Sequence, residues 1–445
     1  MEKVFINNIE KELPSNTLYL SEKDVPTHWF NLIPELPFEI PKPIHNQTEL
    51  EVKSSDFDWM YAAECLKIEL QEGRYGTDSR IEIPQPIYKE HVKYRSTPLV
   101  RAHGLERHLD FSGEIYYKRE DLNPGGSHKY NTALAQAYYG HIEGTDTLVT
   151  DTGAGQWGAA LSLAGKHFDM KTIVFMIKKS FDEKPYRRYL MKLLDAEVIS
   201  SPSTKTTVGQ EVLKTNPDNT GSLGIGMSEA IELVRNNNTY KLALGCMSYF
   251  AVLHQTVIGL ELKRQLEMWD VVPDSLIGCI GGGSNFMGFT APFVKDKLDG
   301  QPIDLIAAES KNVPCMTKGK YAYDWADYNK LTPKIKMYTL GHDFIPPAIH
   351  SGGLRYHGKT PVLSALVHHD LVEPRAFVEK DVLEACRLFF QTEHVLPAPE
   401  SGHAILATIQ EALAAKSKNQ AKKIVFCLSG HGYLDLQGYA NHAGL

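Results

Sequence analysis

Four glycine-rich loops could bring backbone N–H groups close to an anion. Each follows a strand-like run or ends one: Asn123–His128 (NPGGSH), Asp151–Gly158 (DTGAGQWG), Gly281–Asn285 (GGGSN) and Ser429–Gly432 (SGHG). Glycine lets the main chain approach a ligand closely, and the N-terminus of a following helix favours negative charge. A single loop of this kind is a plain turn about as often as it is a binding site. Four in one chain indicate a phosphate or carboxylate ligand.

The second loop also has the spacing of a dinucleotide-binding turn. Gly153, Gly155 and Gly158 form a G-x-G-x-x-G after the strand-like run Thr147–Thr150. A dinucleotide site also requires an acidic residue about 20 positions later, at the end of the next strand, to bind a ribose. The next strand-like run ends instead in Lys178–Ser180 (KKS), which suits a phosphate better than a ribose. The sequence therefore disfavours a dinucleotide cofactor.

Lys129 lies at a position that is unfavourable for a lysine unless the residue has a specific role. It follows the Gly-Gly-Ser turn of the first loop and precedes the apolar segment Tyr130–Tyr139, at the start of a predicted helix, where positive charge is unfavourable. A desolvated lysine with a lowered pKa forms Schiff bases with carbonyl compounds, pyridoxal phosphate among them. In that scheme the GGGSN loop binds the cofactor phosphate and Ser429 contacts its ring nitrogen. A surface lysine at a helix start is the simpler alternative.

The bulk composition excludes several classes of protein. The 445 residues are 42% hydrophobic with a formal net charge of −7, which is typical of a soluble globular chain and gives no basic face for nucleic acid. No run of 18 or more apolar residues could span a membrane, and the polar N-terminus is unlike a signal peptide. The six cysteines have no disulfide or zinc spacing, which favours a reducing, cytoplasmic location.

Strand-like and helix-like runs alternate from about Arg95 onward, which predicts an α/β fold with mostly parallel strands. The strand-like runs are Glu114–Lys118, Thr147–Thr150, Thr172–Ile177, Glu197–Ser200, Ser275–Ile280, Ile303–Ala308 and Lys423–Leu428. The helix-like runs are His128–Tyr139, Gly158–His167, Tyr186–Leu194, Met227–Asn236, Met247–Trp269, Val382–Thr392 and His403–Ala415. We expect an N-terminal extension over residues 1–95, with one helix near Asp56–Gln71, and two α/β domains, 96–255 and 256–445.

Several long motifs resemble those of tryptophan synthase beta chains. They include KREDLNPGGSHKYNTALAQAYY, DTGAGQWG, GGGSN, LGHDFIPPAIHSGGLRYHG, LPAPESGHA and LSGHG, and PTHWFNLIPELP resembles the longer second type of this family. The resemblance extends from about Val25 to Leu436. It implies the fold-type II architecture of pyridoxal-phosphate enzymes, in which two three-layer α/β domains enclose the cofactor in the cleft between them.

The resemblance also implies roles for individual residues. Lys129 is the Schiff-base lysine, with His128 beside the phosphate, Glu400 near the cofactor ring and Ser429 at the pyridine nitrogen. The phosphate lies on Gly281, Gly282, Gly283, Ser284 and Asn285. The substrate carboxylate is bound by Thr152, Gly153, Ala154, Gly155, Gln156 and Trp157. A monovalent cation, K⁺ or Na⁺, is held by the carbonyls of Gly281, Tyr356 and Gly358.

The implied reaction replaces the β-hydroxyl of L-serine with indole to give L-tryptophan, by way of an aminoacrylate. Lys129 removes the Cα proton of serine and later returns it. The family implies a homodimer. Arg355 occupies the position at which alpha-coupled beta chains carry an acid used in closing the site, and the longer type shares this arginine. We therefore expect weak or absent coupling to an alpha subunit.

Asp151 departs from the family pattern, in which glutamate is usual at this position. That carboxylate assists departure of the serine hydroxyl and stabilises the indole N–H. Aspartate is one methylene shorter, so either the backbone compensates or specificity differs. The open alternatives are O-phospho-L-serine as donor, another nucleophile, and serine or threonine dehydratase activity. The intact Lys129 and carboxylate loop argue against a non-catalytic protein. No role follows from the sequence for the segment Glu69–Glu82.

Overall fold

The computed structural model describes residues 16–347 and 349–445, so residues 1–15 of the predicted extension lie outside the described residues. Strands and helices alternate through most of this length. The strands are β1 Thr17–Leu18, β2 His28–Phe30, β3 Arg80–Glu82, β4 Leu99–Arg101, β5 Glu114–Arg119, β6 Thr147–Thr152, β7 Lys171–Ile177, β8 Glu197–Ser201, β9 Tyr240–Leu242, β10 Ser275–Cys279, β11 Asp304–Ser310, β12 Lys320–Trp325, β13 Lys334–Thr339, β14 Glu373–Phe377 and β15 Lys423–Leu428.

The helices fall between the strands and confirm most of the predicted helical runs to within a few residues. They are α1 Ser54–Phe57, α2 Ala63–Glu69, α3 Arg74–Thr77, α4 Gln85–Tyr94, α5 His103–Leu109, α6 Lys129–Ile142, α7 Gln156–His167, α8 Lys178–Glu183, α9 Pro185–Leu193, α10 Thr207–Thr215, α11 Leu223–Arg235, α12 Tyr249–Gln255, α13 Val257–Met268, α14 Ser284–Leu298, α15 Cys315–Lys318, α16 Pro361–His368, α17 Glu379–Glu393, α18 Ser401–Ser417 and α19 Leu436–Ala443. Within residues 16–347 and 349–445, no helix has the length and apolar character to cross a membrane.

A seven-stranded sheet forms the larger layer. Its strand order is β1-β4-β5-β15-β10-β11-β14, and the five strands from β5 to β14 are parallel. Successive residues of each strand belong to different apolar clusters: Ile277 packs with α5, α17 and α18, whereas Leu276 packs with α13 and α14. Helices therefore cover both faces, and the loops that follow β10 and β15 emerge at one edge of the sheet.

A four-stranded parallel sheet, in the order β8-β7-β6-β9, forms the second layer. Alternate residues of β7 again face opposite ways. Val174 and Met176 pack with Met191 of α9, whereas Phe175 lies in the main cluster with Leu223 of α11. The predicted α/β class with two sandwiched sheets is thus confirmed, because each sheet buries both of its faces under helices.

The sheets divide the chain at points other than the predicted domain bounds. β4 and β5 lie within the predicted 96–255 domain, yet β5 pairs with β15 in the larger sheet, with Tyr117 opposite Phe426. The smaller sheet uses only strands between residues 147 and 242. The bounds 1–95, 96–255 and 256–445 therefore do not coincide with the division between the sheets. Strand partners are chosen by long-range contacts that no local pattern reports.

The predicted helix Met247–Trp269 is interrupted at Thr256, where α12 ends and α13 begins. The Thr256 hydroxyl donates to the carbonyl of Leu253 at 2.7 Å and accepts from the N–H of Phe30 at 2.9 Å. A threonine that bonds to the preceding turn competes with the helical hydrogen bonds. The same bonds hold the N-terminal extension against this helix pair.

The segment Glu69–Glu82 caps a helix rather than forming part of the cavity around Lys129. The carboxylate of Glu69 accepts the N–H of Tyr249 at 2.6 Å and also that of Phe250, so it satisfies the first turn of α12. β3, at the end of the segment, pairs with β2. Burial raises the pKa of Glu69 to about 7.

A fully buried ion cluster fixes the start of α6. Arg95 lies 2.6 Å from Glu261 and 2.9 Å from Glu120, and Lys118 lies 2.8 Å from Glu261. Arg95 also donates to the side-chain oxygen of Asn131 at 2.9 Å. Asn131 lies two residues after Lys129, so this cluster positions the first turn of the helix that carries the predicted Schiff-base lysine.

Candidate active site

The glycine loops that follow strands of the two sheets surround one cavity. Most predicted site residues line it. They are His128, Lys129, Asp151, Thr152, Gly153, Ala154, Gln156, Trp157, Gly281, Gly282, Gly283, Ser284, Asn285, Tyr356, Glu400 and Ser429. Gly155 and Gly358 are predicted site residues that do not line it. The cavity thus brings together residues that are up to 301 positions apart, as in the contact of His128 with Ser429.

Lys129 begins α6 and reaches into this cavity. Its Nζ donates to the carbonyl of Gly245 at 2.6 Å. Desolvation by burial lowers the pKa of Lys129, and nearby Cys246, Cys279, Glu400 and Asp151 oppose that shift. A lower pKa raises the fraction of uncharged amine at neutral pH, and the uncharged amine is the form that attacks a carbonyl carbon.

The GGGSN loop joins β10 to α14 and leaves little room for side chains. Gly283 has φ +118°, a conformation that side chains rarely adopt, and a Cβ on this residue would lie 2.8 Å from Leu363. A Cβ on Gly282 would lie 2.8 Å from the sulfur of Cys246. The loop is therefore held close to the cavity by main chain alone. It ends at the N-terminus of a 15-residue helix, which favours a phosphate there.

Ser284 and Asn285 anchor this loop with their side chains. The hydroxyl of Ser284 donates to the Gly245 carbonyl at 3.2 Å, the same oxygen that accepts from Lys129. The Asn285 amide donates to the carbonyl of Cys279 at 3.4 Å, and its oxygen accepts from Cys427 at 3.3 Å. The predicted phosphate loop, Gly281–Asn285, and Lys129 therefore donate to the same carbonyl oxygen.

The loop Thr152–Trp157, predicted to bind the substrate carboxylate, joins β6 to α7. Gly155 has φ +100°, and a Cβ there would lie 2.9 Å from the side chain of Arg187, so this glycine supports the loop from behind instead of lining the cavity. Arg187 is itself paired with Asp435. Trp157 donates its indole N–H to Thr150 at 2.6 Å. The indole N–H of Trp157 thus stabilises the loop, and the main-chain N–H groups of the loop are the groups that can bind a ligand.

Asp151 ends the apolar part of β6 beside this loop. Desolvation by burial raises the pKa of Asp151 to about 7, opposed by a hydrogen bond from its own N–H and by the charge of Lys129. The residue is 5% exposed. A Cβ on Gly226 of α11 would lie 3.1 Å from the Cβ of Asp151, so the glycine lets the helix approach. A carboxyl group with this pKa can both donate and accept a proton near neutrality.

Ser429, Glu400 and His128 also line the cavity. The hydroxyl of Ser429 lies 2.8 Å from that of Ser401 and 3.3 Å from the sulfur of Cys279. One carboxylate oxygen of Glu400 accepts the N–H of Gly353 at 2.8 Å. The other is buried without a partner among the residues that the structure describes. It is free to meet a ligand.

His128 is neutral and holds the main chain of Ser429. Burial, reinforced by the charge of Lys129, lowers the pKa of His128 to about 3. Its Nδ1 lies 3.1 Å from the Ser429 carbonyl, which can only accept, so Nδ1 carries the proton. Nε2 is buried and has no partner within the described ranges. Because Nδ1 carries the proton, Nε2 can only accept a hydrogen bond. A protonated oxygen of an anionic group bound at the adjacent loop would donate that bond.

Taken together, the residues fit pyridoxal phosphate. The cavity offers an amine for the aldehyde, a glycine loop at a helix N-terminus for the phosphate, and the Ser429 hydroxyl for a ring nitrogen. The unpartnered polar atoms of Glu400 and His128 lie in the same cavity wall. Among residues 16–347 and 349–445, no group of three or more His, Cys, Asp or Glu side chains could hold a metal ion.

Sequence reasoning missed the segment Leu244–Met247, which lines the cavity. Its Gly245 carbonyl accepts from both Lys129 and Ser284. The available signal was a Gly-Cys pair directly before a predicted helix. Leu223 and Met227 of α11 and Leu354 also line the cavity as apolar wall. Their sequence pattern is that of ordinary core residues, so nothing local distinguishes them.

Comparisons with known proteins agree with this geometry. The family model for "pyridoxal-phosphate dependent enzyme" matches residues 92–430. The chain is 48% identical over 420 residues to tryptophan synthase beta chain 2 of Thermotoga maritima, covering 94% of this chain and 98% of that protein. It is 48% identical over 427 residues to tryptophan synthase beta chain 2 of Aeropyrum pernix, covering 95% and 94%.

Two solved structures share the fold at low sequence identity. The fungal L-serine ammonia-lyase of Rhizomucor miehei aligns with a TM-score of 0.58 at 16% identity, over 79% of this chain and 98% of that chain. The processed form of threonine deaminase isoform 2 from Solanum lycopersicum aligns with a TM-score of 0.57 at 17% identity, over 78% and 88%. The family match spans every residue that lines the cavity. The chain therefore belongs to the tryptophan synthase beta chains, within the pyridoxal-phosphate dependent enzymes.

Proposed function

We propose that this protein joins L-serine and indole into L-tryptophan by β-replacement. The observation that carries the proposal is the placement of Lys129 and Asp151 in one cavity, where each shifts the other's pKa. A base for Cα and an acid for the leaving hydroxyl are the two groups that this reaction needs. Relatives named tryptophan synthase beta chain, 48% identical over most of their length, support the same reaction.

Pyridoxal phosphate, when bound, supplies an electron sink for the bond that breaks at Cα of serine. The first turn of α14 and the loop Gly281–Asn285 hold its phosphate. Main-chain N–H groups of the loop Thr152–Trp157 hold the substrate carboxylate and so aim Cα at Lys129. The Nζ of Lys129 accepts the Cα proton and later returns it. Its lowered pKa makes the uncharged, proton-accepting form available near neutral pH.

Asp151 serves as the acid in this proposal. A carboxyl with a pKa of about 7 donates its proton to the departing serine hydroxyl and is left as a carboxylate. That carboxylate accepts the N–H of indole while the indole carbon bonds to Cβ. The apolar wall that includes Leu223, Met227 and Leu354 suits the indole ring and excludes water from it.

O-Phospho-L-serine is a second candidate donor, favoured by the shorter side chain at position 151. An aspartate reaches about 1.5 Å less far than a glutamate, and a displacement near 1 Å can cost on the order of a hundredfold in rate. Phosphate leaves without a proton from the enzyme, so a phosphorylated donor would depend less on this reach. Dehydratase activity is the outcome expected if indole does not bind.

A comparison of donors tests the proposal. Purified holoenzyme is assayed with serine or O-phosphoserine, each with and without indole, and tryptophan and pyruvate are quantified by mass spectrometry. Serine with indole should give tryptophan, and Asp151→Glu should not raise that rate. Pyruvate formation that indole does not suppress would refute β-replacement. A rise of tenfold or so in the serine rate of Asp151→Glu, without a rise for O-phosphoserine, would identify the phosphorylated donor.

Assembly and location are further parts of the proposal. We infer that the chain works without an alpha subunit, since Arg355 is buried and donates to the carbonyl of Pro346 at 2.9 Å. The homodimer is proposed from the family resemblance alone. The acid that alpha-coupled beta chains use in closing the site is thus replaced by a cation that already bonds within its own chain. All six cysteines are free thiols, which is compatible with a reducing, cytoplasmic location.

A further inference from the structure

Lys359 is a buried lysine that the proposed reaction does not use. The residue is fully buried, at 0% exposure, and its Nζ has no hydrogen-bond partner of ordinary geometry among the residues that the structure describes. Burying an ammonium group is unfavourable unless its surroundings replace the lost water. A chain that keeps this lysine inside therefore requires a compensating environment.

The surroundings of Lys359 are a thiol and carbonyl groups. Its ammonium interacts with the thiol of Cys315 and also lowers the pKa of His357. The sulfur of Cys315 lies 3.4 Å from the carbonyl oxygen of Tyr356 and 3.1 Å from that of His357. Clusters of carbonyl oxygens are the environment in which proteins bind dehydrated monovalent cations. Cys315 thus connects Lys359 with two main-chain carbonyls, and one of them, that of Tyr356, is a predicted cation ligand.

The charges of Glu309 and Asp324 affect the pKa of Cys315 and of His357, respectively. Both carboxylates hydrogen-bond to groups other than Lys359. Glu309 accepts the N–H groups of Met316 and Thr317 at 3.1 and 2.9 Å. Asp324 accepts the hydroxyl of Thr339 at 2.6 Å and lies 3.0 Å from His342. Neither of these two carboxylates forms an ion pair with Lys359.

This group adjoins the phosphate loop. The residue after Lys359, Thr360, donates its N–H to the carbonyl of Gly282 at 2.7 Å. The charge of Lys359 also acts on Cys246, and Cys246 lies against Gly282. A positive charge at this point supports the loop that binds the cofactor phosphate.

We propose that the ammonium of Lys359 is a built-in cation that takes the place of a mobile K⁺ or Na⁺ ion. The predicted cation site, on the carbonyls of Gly281, Tyr356 and Gly358, does not fit a second positive charge beside this ammonium, because like charges at close range repel. The protein then binds no monovalent cation in this region and does not require one. This inference does not depend on which reaction the cavity catalyses.

Rubidium binding to the holoenzyme tests the inference directly. Wild type, Lys359→Met and the control Lys418→Met, which removes an exposed lysine, are dialysed against tetramethylammonium chloride and then against rubidium chloride. Bound rubidium is counted per chain. Wild type and Lys418→Met should retain no rubidium that can be displaced by K⁺. Lys359→Met should retain about one ion per chain, as expected for a vacated cation site.

Thermal unfolding gives a second readout that involves no turnover. At equal ionic strength, exchange of tetramethylammonium for K⁺ should leave the midpoint of wild type unchanged and raise that of Lys359→Met by about 2 °C or more. A variant that folds only when K⁺ is present also supports the inference.

Three results would overturn the inference. The first is K⁺-displaceable rubidium in wild type. The second is its absence from a folded Lys359→Met, since the lysine would then replace no ion. The third is a Lys359→Met protein that fails to fold with or without K⁺, while Lys359→Gln folds and binds no rubidium.

Discussion

Replacing Asp151 with asparagine should slow tryptophan formation from serine and indole by roughly 10²–10⁴-fold. Asparagine has nearly the same shape as aspartate, so the packing against Gly226 is kept. It cannot donate an acidic proton at neutral pH. The substitution therefore removes the acid that we propose for the departing serine hydroxyl and leaves the cavity otherwise intact.

The magnitude follows from the pKa of the buried carboxyl. With a pKa of about 7, about half of the molecules carry the proton at pH 7. An aspartate with the usual pKa of 3.8 would carry it in roughly one molecule in 1,500 at that pH. Burial in β6 thus increases the population of the acid several hundredfold, which is within the range that general acid catalysis contributes.

The assay is kcat/KM for serine at saturating indole, measured from about pH 6 to pH 9. The rate of wild type should fall above about pH 7, because the raised pKa means that the carboxyl loses its proton there. Asp151→Asn should lack that fall. Glu393→Gln is the matched control, since burial also raises the pKa of Glu393 to about 7 but this residue lies outside the cavity. Wild-type rates and an unchanged alkaline limb in Asp151→Asn would refute the assignment.

Three further predictions concern stability and the cofactor. Gly283→Ala should weaken pyridoxal-phosphate binding at least tenfold, because the new Cβ requires φ +118° and meets side chains at 2.8 Å; cofactor dissociation followed by absorbance would show it, and unchanged affinity would contradict it. Glu261→Gln should lower the free energy of unfolding by about 3–5 kcal/mol, since it leaves two buried cations short of a partner, and an unshifted urea midpoint would count against the cluster. The cofactor-free protein should gain stability as pH rises from about 4 to 6.5, because buried histidines with lowered pKa values make the unfolded state hold more protons than the folded state there; denaturant midpoints measured across this range check it, and a falling midpoint would contradict it. The groups responsible are His91, His128, His254 and His403, and they outnumber Asp151, Glu69 and Glu393, whose raised pKa values act in the opposite direction.

The sequence predicted the loops better than the sheets. Gly283 and Gly155 both adopt positive φ at the start of a helix, and glycine between a strand-like run and a helix-like run is a local signal of that geometry. The pairing of β5 with β15 joins residues about 300 positions apart. No local pattern encodes such a partner, so the sheet division could not be predicted.

The sequence predicted those parts of the site that are side chains, but it did not predict those that are main-chain groups. Lys129 could be predicted because a cation at a helix start is unfavourable without a compensating role. The structure places this lysine in the cavity. The carbonyl of Gly245, which accepts from that lysine, belongs to the main chain, and its only local signal is a Gly-Cys pair before a predicted helix. The burial of Lys359 was equally hidden, since a lysine after a glycine normally faces water.

Product analysis of the holoenzyme with L-serine and indole tests the central claim most directly. Mass spectrometry should show tryptophan formed in equal amount to the indole consumed, with little pyruvate. Lys129→Ala should give neither product and should lose the visible absorption of the protein-bound cofactor while keeping its fold. Pyruvate without tryptophan from wild type, or tryptophan from Lys129→Ala at the wild-type rate, would contradict the account.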